Sequence, residues 1–193
     1  MITLRNLDQL LKKNLKGKVV FVRVDLNIPI KDGVVLDETR IERISPTLQE
    51  LIQNGCKICL LSHFGRPDGK YNEVFSLKQI IPSLKKYIKE EIIFSESLYG
   101  DKVKIILEKS PSNSIILFEN TRFESGEENN SKELAKNISE NADYFINDAF
   151  SVSHRSHMST TGLSNYLPSF SGRYLDKEIL MINKALNIGN GKR

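Results

Sequence analysis

The sequence predicts an α/β fold: a three-layer α/β/α, Rossmann-like domain around a parallel sheet of about six strands. Two observations carry this. Four segments share one grammar, an apolar run followed by an abrupt polar turn with an arginine or a carboxylate: VVFVRVDLNIP (19–29), ICLLSHFGRP (58–67), IILFENTRF (115–123) and YFINDAFSVSHRSH (144–157). The runs are short and rich in β-branched or aromatic residues, as in strands buried on both faces. Helical patterns lie between them, and alternation of strand and helix implies a parallel sheet with right-handed crossovers.

Taken in order, Leu4, Leu7, Leu10, Leu11 and Leu15 suggest a short amphipathic helix, and no apolar stretch there resembles a secretory signal. Strands are expected at about 18–24, 57–61, 91–95, 114–118 and 143–147. A helix over 38–54 presents Ile41, Ile44, Leu48, Leu51 and Ile52, stops at Gly55, and is kinked at Pro46 or restarted there with Ser45 as cap. A second, over 76–90, opens with Ser76 and Gln79 at capping-box spacing. Two more follow at 99–109 and 131–141, the latter capped by Asn130 with Glu133. After His157 the alternation stops, and MSTTGLSNYLPSFSGR reads as turns with a short helical piece. A last helix near 173–187 precedes the linker-like NIGNGKR.

The chain has 193 residues, 39% hydrophobic and 27% charged, ordinary for one globular domain. Its net charge of +4 resides mostly in lysines on helix faces interleaved with acids, and no basic block with aromatic interleaving marks a nucleic-acid site. No run reaches the roughly 20 apolar residues of a bilayer span. Cys56 and Cys59 form a lone C-x-x-C inside a strand start, which fits apolar filling better than redox or metal chemistry, and a reducing compartment. Neither glycine-rich nucleotide motif is present.

Ligands of open parallel sheets bind beyond the carboxyl ends of the strands. The four turns bring there Asp25, Asn27, His63, Arg66, Arg122, Asp148, His154, Arg155 and His157, including all three histidines. Arg40 joins them from a helix start following a turn at Lys31-Asp32-Gly33. Each has a plainer explanation alone. Asp25 and Asn27 can close an Asx-turn, Arg122 can pair with Glu119 or Glu124, Arg40 with Glu38 or Glu42, and Asp148 can tie its loop by accepting backbone N–H bonds. His154, His157 and His63 admit a metal reading, which the spacing and the intervening arginine disfavour. Convergence argues for an anion: like charges gathered on one sheet edge repel unless a ligand offsets them. Gly65, inside SHFGRP, suits close backbone approach to that anion.

The same four segments resemble a known family. RVDLNIP is similar to the RVDFNVP motif of phosphoglycerate kinases, SHFGRP to SHLGRP, FENTRF to ENxRF, and NDAFSVSHRSH to NDAFGxAHRAH. The match runs in order from about residue 18 to the C-terminus. It departs at Leu26, at Phe64 and in Ser151-Val152-Ser153, all outside the polar positions shared with the motifs.

The resemblance implies reversible phosphoryl transfer from 1,3-bisphosphoglycerate to ADP, with Mg²⁺, giving 3-phosphoglycerate and ATP in a cytoplasmic monomer of glycolysis. Asp25 and Asn27 would bind the glycerate part, and His63, Gly65, Arg66, Arg122 and Arg155 the non-transferred phosphate. Arg40 would stabilise the moving phosphoryl group. Residues 1–172 would be the phosphoglycerate-binding domain and 173–193 the start of the interdomain helix and linker. The domain that holds the Mg²⁺-bound ADP or ATP would then be missing from these residues, so the chain is expected not to turn over alone. A stand-alone phosphometabolite-binding module and a basic nucleic-acid binder are the competing readings. No membrane partner is expected.

Overall fold

The structure, a computed structural model, describes residues 5–31 and 33–189. In chain order the strands are β1 (Val19–Arg23), the short antiparallel pair β2 (Ile30–Lys31) and β3 (Val34–Val35), β4 (Lys57–Leu61), β5 (Ile92–Ser95), β6 (Ile115–Phe118), β7 (Tyr144–Asn147) and β8 (Ser169–Ser171). The helices are α1 (Leu7–Leu11), α2 (Thr39–Gln53), α3 (Ile81–Tyr87), α4 (Asp101–Lys109), α5 (Lys132–Ser139) and α6 (Arg173–Gly189). Six strands make one parallel sheet in the order β5-β6-β4-β1-β7-β8.

Strand alternation divides the core in two. Val20, Val22, Ile58, Leu60, Ile115 and Leu117 face one side and pack against apolar residues of α1, α2 and α3. Phe21, Cys59, Leu61, Ile116 and Phe118 face the other, against α4, α5 and the turn Met158–Gly162. Phe21 and Phe118 meet edge to face at 5.5 Å in that second layer. The connection leaving β1 runs toward β4, whereas the one leaving β7 runs toward β8. A crevice therefore opens at the carboxyl ends of β1 and β7, where chain direction diverges.

Several expectations change. Residues 169–171, read as turn, form the sixth strand, which the Ser- and Pro-rich composition around a single Phe170 conceals. α2 runs unbroken through Pro46, and Ser45 is no cap; its hydroxyl donates to the Ile41 carbonyl. Burial of Ile41, Ile44, Leu48 and Leu51 on both sides of the proline outweighs a cost of roughly 3 kcal/mol, at about 1.5–3 kcal/mol per buried side chain. The 76–90 segment is a 3₁₀ turn (Leu77–Ile80) followed by α3, with Pro82 in its first turn. Ser76 caps it, but the Gln79 amide donates to the Val74 and Ser76 carbonyls, so no capping box forms. α5 is capped by Ser131, because Asn130 has φ +56°. Of the N-terminal leucines, Leu7, Leu10 and Leu15 are buried, and Leu4 lies outside the described residues, as does Asp32 of the expected turn.

Cys56 and Cys59 are unpaired and buried; burial pushes the Cys56 thiol up to about 12 and that of Cys59 further. No described helix is long and apolar enough to cross a membrane.

The start of α6 is clamped from several sides. The Arg173 guanidinium donates to Glu50 at 2.8 and 2.6 Å and to Asp8 at 2.6 Å. Its backbone N–H donates to Thr47 Oγ1 at 2.9 Å, and that hydroxyl donates to Asp148 Oδ2 at 2.6 Å. Asp148 Oδ1 accepts the Leu175 N–H at 3.0 Å, as an acid at a helix N-terminus should. The carboxyl lies so close to Gly172 that a Cβ there would fall 2.3 Å from Asp148 Cγ. Gly172→Ala should therefore overpack a buried junction and destabilise the chain by roughly 1–3 kcal/mol, read as a lower urea midpoint; an unchanged midpoint would show that the junction yields freely.

Candidate functional site

The β1 turn is built by short-range bonds. Asp25 Oδ1 accepts the Asn27 N–H at 3.0 Å, so the Asx-turn is present. Its other oxygen accepts the Ser151 hydroxyl and an Arg40 N–H. Burial opposes ionisation of Asp25, but the Ser151 hydroxyl, the Arg40 guanidinium and the Asn27 amide together hold its carboxyl below the usual range. Arg40 thus pairs with Asp25, neither Glu38 nor Glu42, and joins the start of α2 to the crevice; its side chain stays 42% exposed.

The next turns are stitched to the first. Leu26 N–H donates to Ser62 Oγ at 2.9 Å, and Gly65 N–H to Asn27 Oδ1 at 3.0 Å. Asn120 Oδ1 accepts the Phe64 and Arg122 amides, both at 3.1 Å, while its Nδ2 donates to the Phe64 and Phe75 carbonyls. Gly65 has φ +60°, and a Cβ there would fall 2.3 Å from the Phe75 ring. Its amide is already taken by Asn27, so its visible task is placement: its carbonyl accepts Arg122 Nη1 at 2.7 Å. Arg122 also pairs with Glu128 at 2.7 Å, not with Glu119 or Glu124, and its buried Nε has no partner.

Behind these turns lies Arg23, which sequence reasoning passed over although it stands inside RVDLNIP. It is 1% exposed. Its guanidinium donates to the Val24 carbonyl, to Ser159 Oγ at 2.9 Å and, through Nη2, contacts His63 Nδ1 at 3.1 Å. Burial, then the charges of Arg23 and Arg122, holds His63 down to about 3, so the ring is neutral at physiological pH. Glu127, wholly buried, accepts the Ser159 hydroxyl and N–H at 2.5 and 3.0 Å. The signal for Arg23 was a charge interrupting an apolar strand; Ser62, Asn120, Ser151 and Ser159 carry no sequence signal of their own.

The structure gathers Arg23, His63, Arg122 and Arg155, whose charges act on one another, and Arg66 acts on Arg122. Arg66 is exposed and Arg155 half-buried, and neither side chain bonds a described residue. His157 Nδ1 stands 3.9 Å from Glu127, and burial lowers its affinity for a proton. His154 is exposed. Asp148 faces α2 and α6 rather than the arginines, in keeping with a structural tie. A cavity of about 210 Å³ beside the patch is lined by Asp25, Arg40, Arg43, Ile44, Asp148, Ser151 and Tyr174. Such a surface can hold a small, multiply charged anion through charge-assisted hydrogen bonds. Among the described residues no group of three His, Cys, Asp or Glu side chains is placed to hold a metal ion.

Comparison with known proteins points to one family. A family model described as phosphoglycerate kinase matches residues 9–192. The phosphoglycerate kinase of Sinorhizobium fredii is 43% identical over 192 residues, covering 100% of this chain and 47% of that protein. That of Brucella melitensis is 44% identical over 180 residues, covering 93% and 45%. Among solved structures, the phosphoglycerate kinase from Coxiella burnetii superposes with a TM-score of 0.82 at 35% identity, covering 95% of this chain and 45% of its own. The one from Pyrococcus horikoshii gives 0.83 at 30%, covering 94% and 45%. The chain spans about half the length of the relatives it matches.

Burial raises Asp148 to about 6, against the Thr47 hydroxyl and the Leu175 and Tyr174 amides. Between the unfolded value near 4 and this folded value, the native state binds more protons than the unfolded state, so Asp148 withdraws stability as pH rises. His63, held low, acts oppositely in the same range: its contribution is lost as pH falls from about 6.5. Asp148→Asn should remove one of these opposed effects. Its stability relative to wild type should rise by roughly 2 kcal/mol between pH 4 and pH 6.5 in urea titrations; a pH-independent difference would contradict the assignment.

Proposed function

Because the chain belongs to the phosphoglycerate kinase family, we propose that it is the 3-phosphoglycerate-binding part of such a kinase, reversibly moving a phosphoryl group from 1,3-bisphosphoglycerate to ADP. Residues 1–172 form that domain, and 173–193 begin the interdomain helix and linker. The observation that carries the reading is the convergence of Arg122 and Arg155 on His63, with Arg66 beside Arg122 and the Arg66 and Arg155 side chains bonded to no described residue. Asp25 and Asn27 receive the glycerate part, and His63, Gly65, Arg66, Arg122 and Arg155 the non-transferred phosphate, Gly65 by placing Arg122. The protein works as a cytoplasmic monomer without nucleic-acid or membrane partners.

Phosphoryl transfer needs positioning and charge stabilisation more than a protein nucleophile. The patch supplies the first: the Arg122 guanidinium is fixed by the Gly65 carbonyl and Glu128 before the ligand arrives, while Arg66 and Arg155 keep their donors for it. Arg40 supplies the second. It reaches the crevice from the start of α2, tethered to Asp25 but still exposed, so the rest of its fork can meet charge that grows as the phosphoryl group moves.

The described residues do not suit Mg²⁺. They offer no cluster of carboxylates, and Asp25 is engaged by Arg40, Ser151 and Asn27. The nucleotide and its Mg²⁺ belong to the remainder of the kinase. The chain by itself is then a phosphometabolite-binding unit, and a coupled assay on the purified 193 residues should detect no ATP formation.

Titration calorimetry should find weak 3-phosphoglycerate binding that added salt weakens further. Arg66→Ala or Arg155→Ala should each lower affinity by roughly tenfold or more, since charge-assisted bonds to phosphate contribute about 1.5–3 kcal/mol. Equal affinities for wild type and both variants would end the proposal. In the chain joined to a complete nucleotide-binding half, Arg40→Ala should cut kcat by about 10²-fold with a smaller effect on 3-phosphoglycerate affinity, and Arg40→Lys should rescue poorly. Steady-state kinetics in which only KM rises would move Arg40 to ground-state binding.

A further inference from the structure

We propose that Glu127 is a positioning residue for the anion site: through the Ser159 hydroxyl and the Arg23 guanidinium it fixes His63 as the neutral imidazole with its proton on Nε2, so that His63 meets an anion as an uncharged hydrogen-bond donor. Every direction in this chain of contacts is set by chemistry. Arginine has donors and no acceptor. The 3.1 Å contact between Arg23 Nη2 and His63 Nδ1 is therefore a bond donated by arginine, and the ring's lone pair lies on Nδ1. A neutral ring then carries its proton on Nε2, which bonds no described residue and is left to a ligand.

The other branch is equally constrained. Arg23 Nε donates to Ser159 Oγ at 2.9 Å, so the hydroxyl proton must go elsewhere, and it goes to Glu127 Oε1 at 2.5 Å. The Glu127 carboxylate accepts from the Ser159 N–H at 3.0 Å and the Thr121 hydroxyl at 3.3 Å as well, and donates to nothing. Both Arg23 and Glu127 are sealed from water, at 1% and 0% exposure, so each is the other's counter-charge with one hydroxyl between them. The relay crosses four parts of the fold: the segment after β6, the turn Met158–Gly162, β1 and the turn after β4. Arg122, Arg155 and Asp25 are the other charges facing His63, and Glu127 is also approached by His157 at 3.9 Å.

Ser159→Ala should let the guanidinium close directly on Glu127 and leave His63 Nδ1. Glu127→Gln should strip Arg23 of its counter-charge. The test is long-range ¹H–¹⁵N correlation on histidine-labelled chain at neutral pH, which reads the tautomer with no ligand present, together with calorimetry using 3-phosphoglycerate. Wild type should be wholly the Nε2–H form. Ser159→Ala and Glu127→Gln should add Nδ1–H signals and weaken 3-phosphoglycerate about tenfold, and Ser159→Thr, which keeps the hydroxyl, should restore both. If Glu127→Gln does not fold, the Ala and Thr variants at Ser159 decide. A folded Ser159→Ala chain whose His63 remains wholly Nε2–H overturns the proposal. Only the affinity arm rests on the phosphoglycerate reading: wild type that fails to bind 3-phosphoglycerate while Ser159→Ala shifts the tautomer would refute that reading and support the positioning role.

Discussion

A guanidinium enclosed within the central strand of a sheet must find its acceptors and its counter-charge inside the protein, and the polar architecture behind the arginine patch follows from that demand. Arg23 sits where β1 ends, paired in register with Leu61 on one side and Asn147 on the other. Water cannot reach it, so the Val24 carbonyl, Ser159, His63 and, at one remove, Glu127 must. Three segments distant in sequence are thereby committed to one arrangement. Removing one member of such a set leaves a buried charge uncompensated, which costs more than the set contributes when intact.

Around that centre the surface cations are held from behind. Asn27, Ser62 and Asn120 bind backbone groups of neighbouring turns, and Gly65 adopts a conformation that a side chain would obstruct. Arg122 is consequently aimed by a carbonyl and an acid before any ligand arrives, while Arg66 and Arg155 keep their donors unengaged. Rigid and unengaged donors coexist because the turns pair with each other and not with the outermost side chains. That division suits a site whose work is orientation and charge stabilisation.

The sheet was legible because parallel strands covered on both faces must be apolar throughout, and 19–24, 57–61 and 115–118 are nearly so apart from Arg23 and Lys57. Ser169–Ser171 was not legible: three residues, two of them serine, carry no periodicity, and the strand exists through pairing with β7. Helix ends were misread where two cap-forming residues adjoin, as at Asn130 and Ser131, since only backbone dihedrals choose between them. Placement at the strand ends gave the outer residues of the patch. Their partners were hidden because Arg40 with Asp25, Arg122 with Glu128 and Asp148 with Thr47 are joined by tertiary geometry. Gly65 was expected to let the backbone approach an anion closely, and in the structure its amide is engaged by Asn27.

The two cysteines lie deep in the layers flanking the central strands, Cys56 among the contacts of one face and Cys59 among those of the other. Only a thiolate attacks an alkylating reagent, and burial suppresses that form at both positions. A thiol reagent at neutral pH therefore meets little reactive sulfur until the sheet itself opens. The chain carries two internal reporters of its own unfolding, and their labelling rate measures how often the centre of the molecule comes apart.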